Sequence, residues 1–207
     1  GVVELQWTDT EFVYDGGIHV PVAVALGLHE GDTCTVQVEG GAIHAGSYTA
    51  TAVSLSNPDY VLPEEVTCAY TIAPKEIGIT WEQSQFAYDG SSHAPVARAE
   101  GVLDGDLCDV AVEGAARDAG DHTATAASLS NSDYALPSDV THAFNIQPAV
   151  VGLQWGATIF PYDGKAHAPI AEATGLVEGD ECSVEVTGAQ VEPGSYTATA
   201  VGLSNAN

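Results

Sequence analysis

Methionine is absent from this 207-residue sequence, and lysine and arginine together number only four. Set against 29 aspartates and glutamates, they leave a formal charge of -25. A surface this anionic repels phosphate backbones and acidic lipid head groups, which argues against nucleic acid and membrane partners. No run of 18 apolar residues occurs, so no segment is expected to insert into a bilayer as a helix. The four cysteines, Cys34, Cys68, Cys108 and Cys182, form no C-x-x-C pair and no tight cluster, which disfavours a disulfide scaffold. Long helix-period runs are missing as well. A chain that opens on Gly1 without a methionine reads as a fragment of something longer, lacking a signal peptide or anchor.

Apolar residues are nonetheless 45% of the chain and lie along its whole length, which is enough for a buried core and unlike the composition of disorder. Glycine, tyrosine and valine are frequent, favouring an all-β fold. The organisation is a threefold repeat. Trp7, Trp81 and Trp155 stand 74 residues apart. Tyr14, Tyr88 and Tyr162 keep that step, as do His19, His93 and His167, and Cys34, Cys108 and Cys182. The repeats run over 1–74, 75–148 and 149–207, and the third lacks the text corresponding to Tyr60 through Pro74.

Each repeat opens on an alternating strand pattern, V-E-L-Q-W in the first, which puts Val3, Leu5 and Trp7 on one face. A short F-x-Y segment follows and is closed by an Asp-Gly turn: Asp15-Gly16, Asp89-Gly90 and Asp163-Gly164. Next comes H-x-P and a valine- and alanine-rich strand, whose proline suits a strand start or a sheet edge. A second turn, H-E-G-D or its variants, precedes a strand on which Cys34, Val36 and Val38 face one way. The segment G-S-Y-T-A-T-A then places Tyr48 and Tyr196 like the tyrosine corner of immunoglobulin-like sandwiches. His122 replaces that tyrosine in the second repeat, where a weaker corner is expected. Ala50, Ala124 and Ala198 take the place of the antibody cysteine. An S-N-x-D-Y-x-L loop and a last strand, ending F/Y-x-I, close repeats 1 and 2.

These signals predict three tandem, small immunoglobulin-like antiparallel β-sandwich repeats in an elongated rod. Their connectors are short and proline-stiffened at Pro74 and Pro148. The order F-x-Y-D-G, G-D, A-G-x-Y-T-A-T-A, S-N-x-x-Y-x-L and F/Y-x-I-x-P resembles the bacterial immunoglobulin-like repeats of the YDG/MBG type, found in tandem in large surface proteins and adhesins. The resemblance covers repeats 1 and 2 and most of repeat 3. It implies an extracellular, cell-wall-associated stalk without enzyme activity, and carries over no binding residue.

The string Y-D-G-S-S-H, at Tyr88 to His93, puts serine, histidine and aspartate within six positions. The serines do not recur in the other repeats, and neighbours on one turn cannot assemble a Ser–His–Asp triad. No catalytic residue is therefore assigned. His19, His93 and His167 read as packed imidazoles that fix the Asp-Gly turn against the next strand, rather than as ligands of a shared ion. The three tryptophans share the phase of inward apolar residues and read as core, not as sugar platforms. The acidic H-E-G-D, L-D-G-D and V-E-G-D turns read as solvated surface, with Ca2+ at repeat junctions as the alternative. No other cofactor is expected. A Cys34–Cys68 bridge stays open, while Lys75 and Lys165 occupy non-equivalent positions and give no support for Lys–Asn cross-links.

Two functions follow. The first is a non-enzymatic spacer of a bacterial cell-surface protein, monomeric, whose partners are its own neighbouring repeats. The second is an adhesin module contacting a host glycan or protein through loops such as E-G-G-A-I-H and E-G-A-A-R-D, which diverge beside near-constant strands.

Overall fold

A computed structural model describes residues 1–207. It is all-β and sandwich-like. Repeat 1 supplies β1 (Glu4–Thr8), β2 (Glu11–Val13), β3 (Val22–Leu26), β4 (Val36–Glu39), β5 (Gly46–Leu55) and β6 (Thr67–Ala73). Repeat 2 adds β7 (Lys75–Glu76), β8 (Gly78–Glu82), β9 (Gln85–Ala87), β10 (Val96–Glu100), β11 (Val110–Glu113), β12 (Gly120–Leu129), β13 (Tyr134–Ala135) and β14 (Thr141–Gln147). Repeat 3 has β15 (Gly152–Trp155), β16 (Ala171–Thr174), β17 (Val184–Thr187) and β18 (Thr199–Leu203).

Within repeat 1, β1 pairs with β3, and a second sheet runs β2-β6-β5-β4. Strand β6 is its centre: it lies antiparallel to β5, with Tyr48 opposite Tyr70, and parallel to β2, with Phe12 opposite Ile72. The alternation of β6 turns Tyr70 and Ile72 inward, where they are among the largest fully buried side chains. Repeat 2 repeats this order as β9-β14-β12-β11, with Phe144 and Ile146 inward on β14. Beside them on the adjoining β5 and β12 are Ala50 and Ala124, both wholly buried, whose small side chains leave room for the rings. The prolines Pro21 and Pro95 sit immediately before β3 and β10 and are themselves buried.

The chain forms two compact units, and the division passes through the second repeat. One unit holds Gly1–Thr80, Ala97–Ala111 and Ala126–Val140, and the other holds Trp81–Val96, Val112–Thr125 and Thr141–Asn207. All four cysteines are free and half-buried.

Repeat 3 departs from its sisters where a strand partner is lacking. Segment 194–198 matches the first half of β5 and β12 but is not a strand, and segment 159–161 likewise lacks the strand character of β2 and β9. Both would pair with a counterpart of β6, and a backbone with no ladder partner does not hold strand geometry. Tyr196, Tyr162 and Trp155 are consequently 54%, 65% and 39% exposed, although the repeat predicts the same inward placement as for their counterparts.

Candidate functional site

The Y-D-G-x-x-H turn is built identically three times. Asp15 Oδ1 accepts the Gly17 amide at 2.8 Å and the His19 Nε2 at 2.8 Å. Asp89 does the same for Ser91 and His93, and Asp163 for Lys165 and His167. Each aspartate is held below its ordinary carboxyl value, chiefly by the amide at Gly17 and Ser91, and at Asp163 chiefly by His167. Each imidazole stacks on the preceding phenylalanine, His19 on Phe12, His93 on Phe86 and His167 on Phe160. The histidine backbone also pairs in both directions with Ala42, Ala116 or Gln190. Asp89, Ser91 and His93 are therefore parts of one turn. The Ser91 side chain also hydrogen-bonds the Asp89 carboxylate within that turn, while His93 is held by the same carboxylate.

The tyrosine before that turn leaves its own repeat. Tyr14, only 5% exposed, donates its hydroxyl to Asp106 Oδ2 at 2.8 Å. Asp106 ends the L-D-G-D turn of repeat 2 and also receives the Tyr134 hydroxyl at 2.6 Å. Tyr134 in turn accepts the Leu103 amide at 2.9 Å and packs edge-on against Tyr14 at 5.4 Å. Beside this cluster, Asp133 is the sole buried charged side chain. Its carboxylate accepts the Ala45 amide at 2.7 Å and the His44 Nδ1 at 2.7 Å, so the cost of burying it is offset by two donors from repeat 1. Gly16 closes the contact: a Cβ there would lie 3.3 Å from the Leu103 side chain, and its φ of +81° suits glycine alone.

The second unit contains the same junction between repeats 2 and 3. Tyr88 donates to Asp180 Oδ2 at 2.7 Å, with the same sequence separation of 92 residues as Tyr14 and Asp106. The Ala119 amide bonds Asn207 Oδ1 at 2.8 Å, the counterpart of Ala45 and Asp133. Gly90 faces Val177 as Gly16 faces Leu103. The two differ in their charged groups: where the first junction pairs His44 with Asp133, the second sets Asp118 beside Asn207, and Arg117 hydrogen-bonds Tyr88. Asparagine supplies a donor to an acid where the carboxylate had received one.

The last aspartate of each G-D turn was legible only as a hairpin or calcium residue, so its junction role was missed. The usable signal was its recurrence, with the glycine before it, at 32, 106 and 180, while the first two residues of the turn vary. At the first repeat, Asp32 is exposed and is bonded by Tyr60 of its own repeat at 2.7 Å. No group of three or more His, Cys, Asp and Glu side chains converges as metal ligands would.

The remaining candidates have simple placements. Trp7 and Trp81 are half-buried, and Trp81 stacks on His142 at 5.1 Å. Tyr48 forms the corner bond to the His44 carbonyl at 2.9 Å. His122 reaches the equivalent Asp118 carbonyl through Nε2 at 2.8 Å, so its corner carries the same bond as the tyrosine's. No known protein family, curated protein or solved structure matches this chain.

Proposed function

We propose that the chain is a non-enzymatic stalk segment of a bacterial cell-surface protein, built of three immunoglobulin-like repeats in an elongated rod that projects other domains from the cell wall. One observation carries this reading: the Tyr–Asp contact and the loop-to-amide bond recur at both repeat boundaries with matching separations and distances. A spacer needs neighbours to dock in one defined way, and a short proline-stiffened connector with a hydrogen-bonded junction supplies that. The acidic surface keeps such a rod soluble and discourages lateral association. The resemblance of its motifs to YDG/MBG-type repeats supports an extracellular setting.

Small-angle scattering tests the reading. Three repeats in line, with strands of roughly 25–30 Å, give a maximum dimension of roughly 80–100 Å. A pair-distance distribution of a compact globule would overturn it.

A further inference from the structure

Repeat 1 carries an uncovered apolar stripe that its sisters lack. Ile18, Val20, Val22, Val24 and Leu26 share one phase, while Ala23 and Ala25 between them point into the core. Ile18, Val22, Val24 and Leu26 are 73%, 49%, 43% and 40% exposed, and Val20 is half-buried. The same positions read Ser92, Ala94, Val96, Arg98 and Glu100 in repeat 2, and Ala166, Ala168, Ile170, Glu172 and Thr174 in repeat 3. Val96, Arg98 and Glu100 are exposed too, although repeat 2 has a repeat on either side, so adjoining repeats do not cover this face. Gly41 makes room for the stripe's first member: a Cβ there would lie 2.9 Å from Ile18 Cγ2. Its counterparts Ala115 and Ala189 carry that Cβ, in repeats that have Ser92 and Ala166 in place of the isoleucine. The stripe is one strand wide. Glu4, Gln6 and Thr8 of β1 lie opposite Leu26, Val24 and Val22, and on the far side Thr35 pairs with Val24. All four of these neighbours are exposed. Residues 1–74 contain ten acidic residues and no lysine or arginine. Contiguous apolar surface rimmed by polar residues marks an interaction site, as scattered apolar residues do not.

We propose that this stripe is the docking surface for a basic amphipathic helix of a partner protein. A single apolar file with polar flanks matches the single apolar stripe of such a helix. A second sheet would instead press several apolar files onto glutamate, glutamine and threonine. Ile18 to Leu26 spans roughly 26 Å of extended chain, which a helix of about 18 residues covers at about 1.5 Å per residue. Charge selects the flanks of that helix. Lysine or arginine beside its apolar stripe meets acid unopposed by any basic residue of repeat 1, beginning with Glu4 next to Leu26. A second copy of this chain would bring acid onto acid. The surface stands apart from the stalk reading, since a spacer needs docking only at its repeat boundaries.

The test uses the whole 207-residue chain and a synthetic helix of about 18 residues, with leucine along one stripe and lysine elsewhere. At about 0.15 M salt, where charges are screened beyond about 8 Å, calorimetry is expected to give saturable 1:1 binding. The chain variant Ile18→Ser, Val24→Arg, Leu26→Glu takes the residues that repeat 2 already carries at these positions. Its two new charges cancel, so a loss of binding reports the apolar contact. It is expected to raise Kd at least about tenfold while keeping the native circular dichroism. Ile18→Ser alone, at the most exposed position, should weaken binding in the same direction and keeps the test decisive if the triple variant is less stable. A peptide with serine for leucine, at unchanged charge, should not bind, nor should one with glutamate for lysine. Equal binding to the variants, equal binding of either control peptide, or no saturable binding overturns the proposal. So does a chain that dimerises on its own and ceases to do so in the triple variant, since a second copy would then be the occupant.

Discussion

Tyr14 donates its hydroxyl to Asp106 across a separation of 92 residues, and Tyr88 donates to Asp180 across the same separation. The first bond should be measurable as a pair. Tyr14→Phe leaves the ring in place and is expected to lower the melting temperature by roughly 2–8 °C. Asp106→Asn should cost more, because Asp106 also receives Tyr134. A double-mutant cycle should show coupling between Tyr14 and Asp106, and strict additivity would mean that the contact contributes nothing.

Alkaline pH should loosen the same contact. The Tyr14 phenol is pushed from 10.0 up to about 12, first by its bond to Asp106, then by burial and by the Asp106 charge. Folding favours the neutral phenol, so its contribution is complete below pH 10.0 and is lost as the pH rises toward about 12. Denaturant titrations above that lower bound should show the native chain losing stability faster than Tyr14→Phe. Parallel curves would contradict this.

Acid acts on the partner in the opposite sense. The Tyr134 and Tyr14 hydroxyls hold the Asp106 carboxyl below its ordinary 3.8. The ionised form is the one folding favours, so its contribution is full above about pH 4 and fades as the pH falls through the lowered folded value. The stability gap between the native chain and Asp106→Asn should therefore narrow below about pH 4. Comparing the two proteins removes the general effect of protonating so acidic a chain. A gap that persists unchanged would show that the bond does not select the carboxylate.

Gly40 should be far less replaceable than Gly31. A Cβ at Gly40 would stand 2.6 Å from the Thr49 carbonyl oxygen and 3.3 Å from the Ala50 Cα, at a φ of +95°. Gly31 has a similar φ of +88° in the H-E-G-D turn but opens on free space. Gly31→Ala is expected to cost about 1–2 kcal/mol from backbone conformation alone. Gly40→Ala must also move backbone and should exceed that by about 1–3 kcal/mol. Equilibrium unfolding of both variants settles the order.

Long-range charge should matter too. With four basic residues against 29 acidic ones, repulsion outweighs attraction over most of the surface. Raising the salt to physiological ionic strength cuts the screening length to about 8 Å, and the melting temperature should rise. A fall would mean that the few ion pairs dominate.

Local pattern carried most of the fold. The phase of Val3, Leu5 and Trp7, the Asp-Gly turns and the corner tyrosine depend on residues near one another in sequence, and the 74-residue period checked each against two repetitions. The histidine turn was readable for the same reason. What lay beyond reach depends on the neighbouring repeat. Tyr14 looks like any inward aromatic until Asp106 is placed against it, and the H-E-G-D class of turns looks like solvated acid until a tyrosine arrives. His122 looked a poor substitute for tyrosine, yet its Nε2 spans the same gap to the carbonyl. The exposure of Tyr162 and Tyr196 follows from a missing ladder partner, legible as the text of Tyr60 through Pro74 that repeat 3 lacks.

The Tyr–Asp contact is also directional. Repeat 2 gives with Tyr88, before its Asp-Gly turn, and receives with Asp106, the last residue of its G-D turn, two different surfaces. A contact of that type has no two-fold axis. Adding or deleting whole 74-residue blocks lengthens or shortens the array while every surviving boundary keeps its own donor and acceptor.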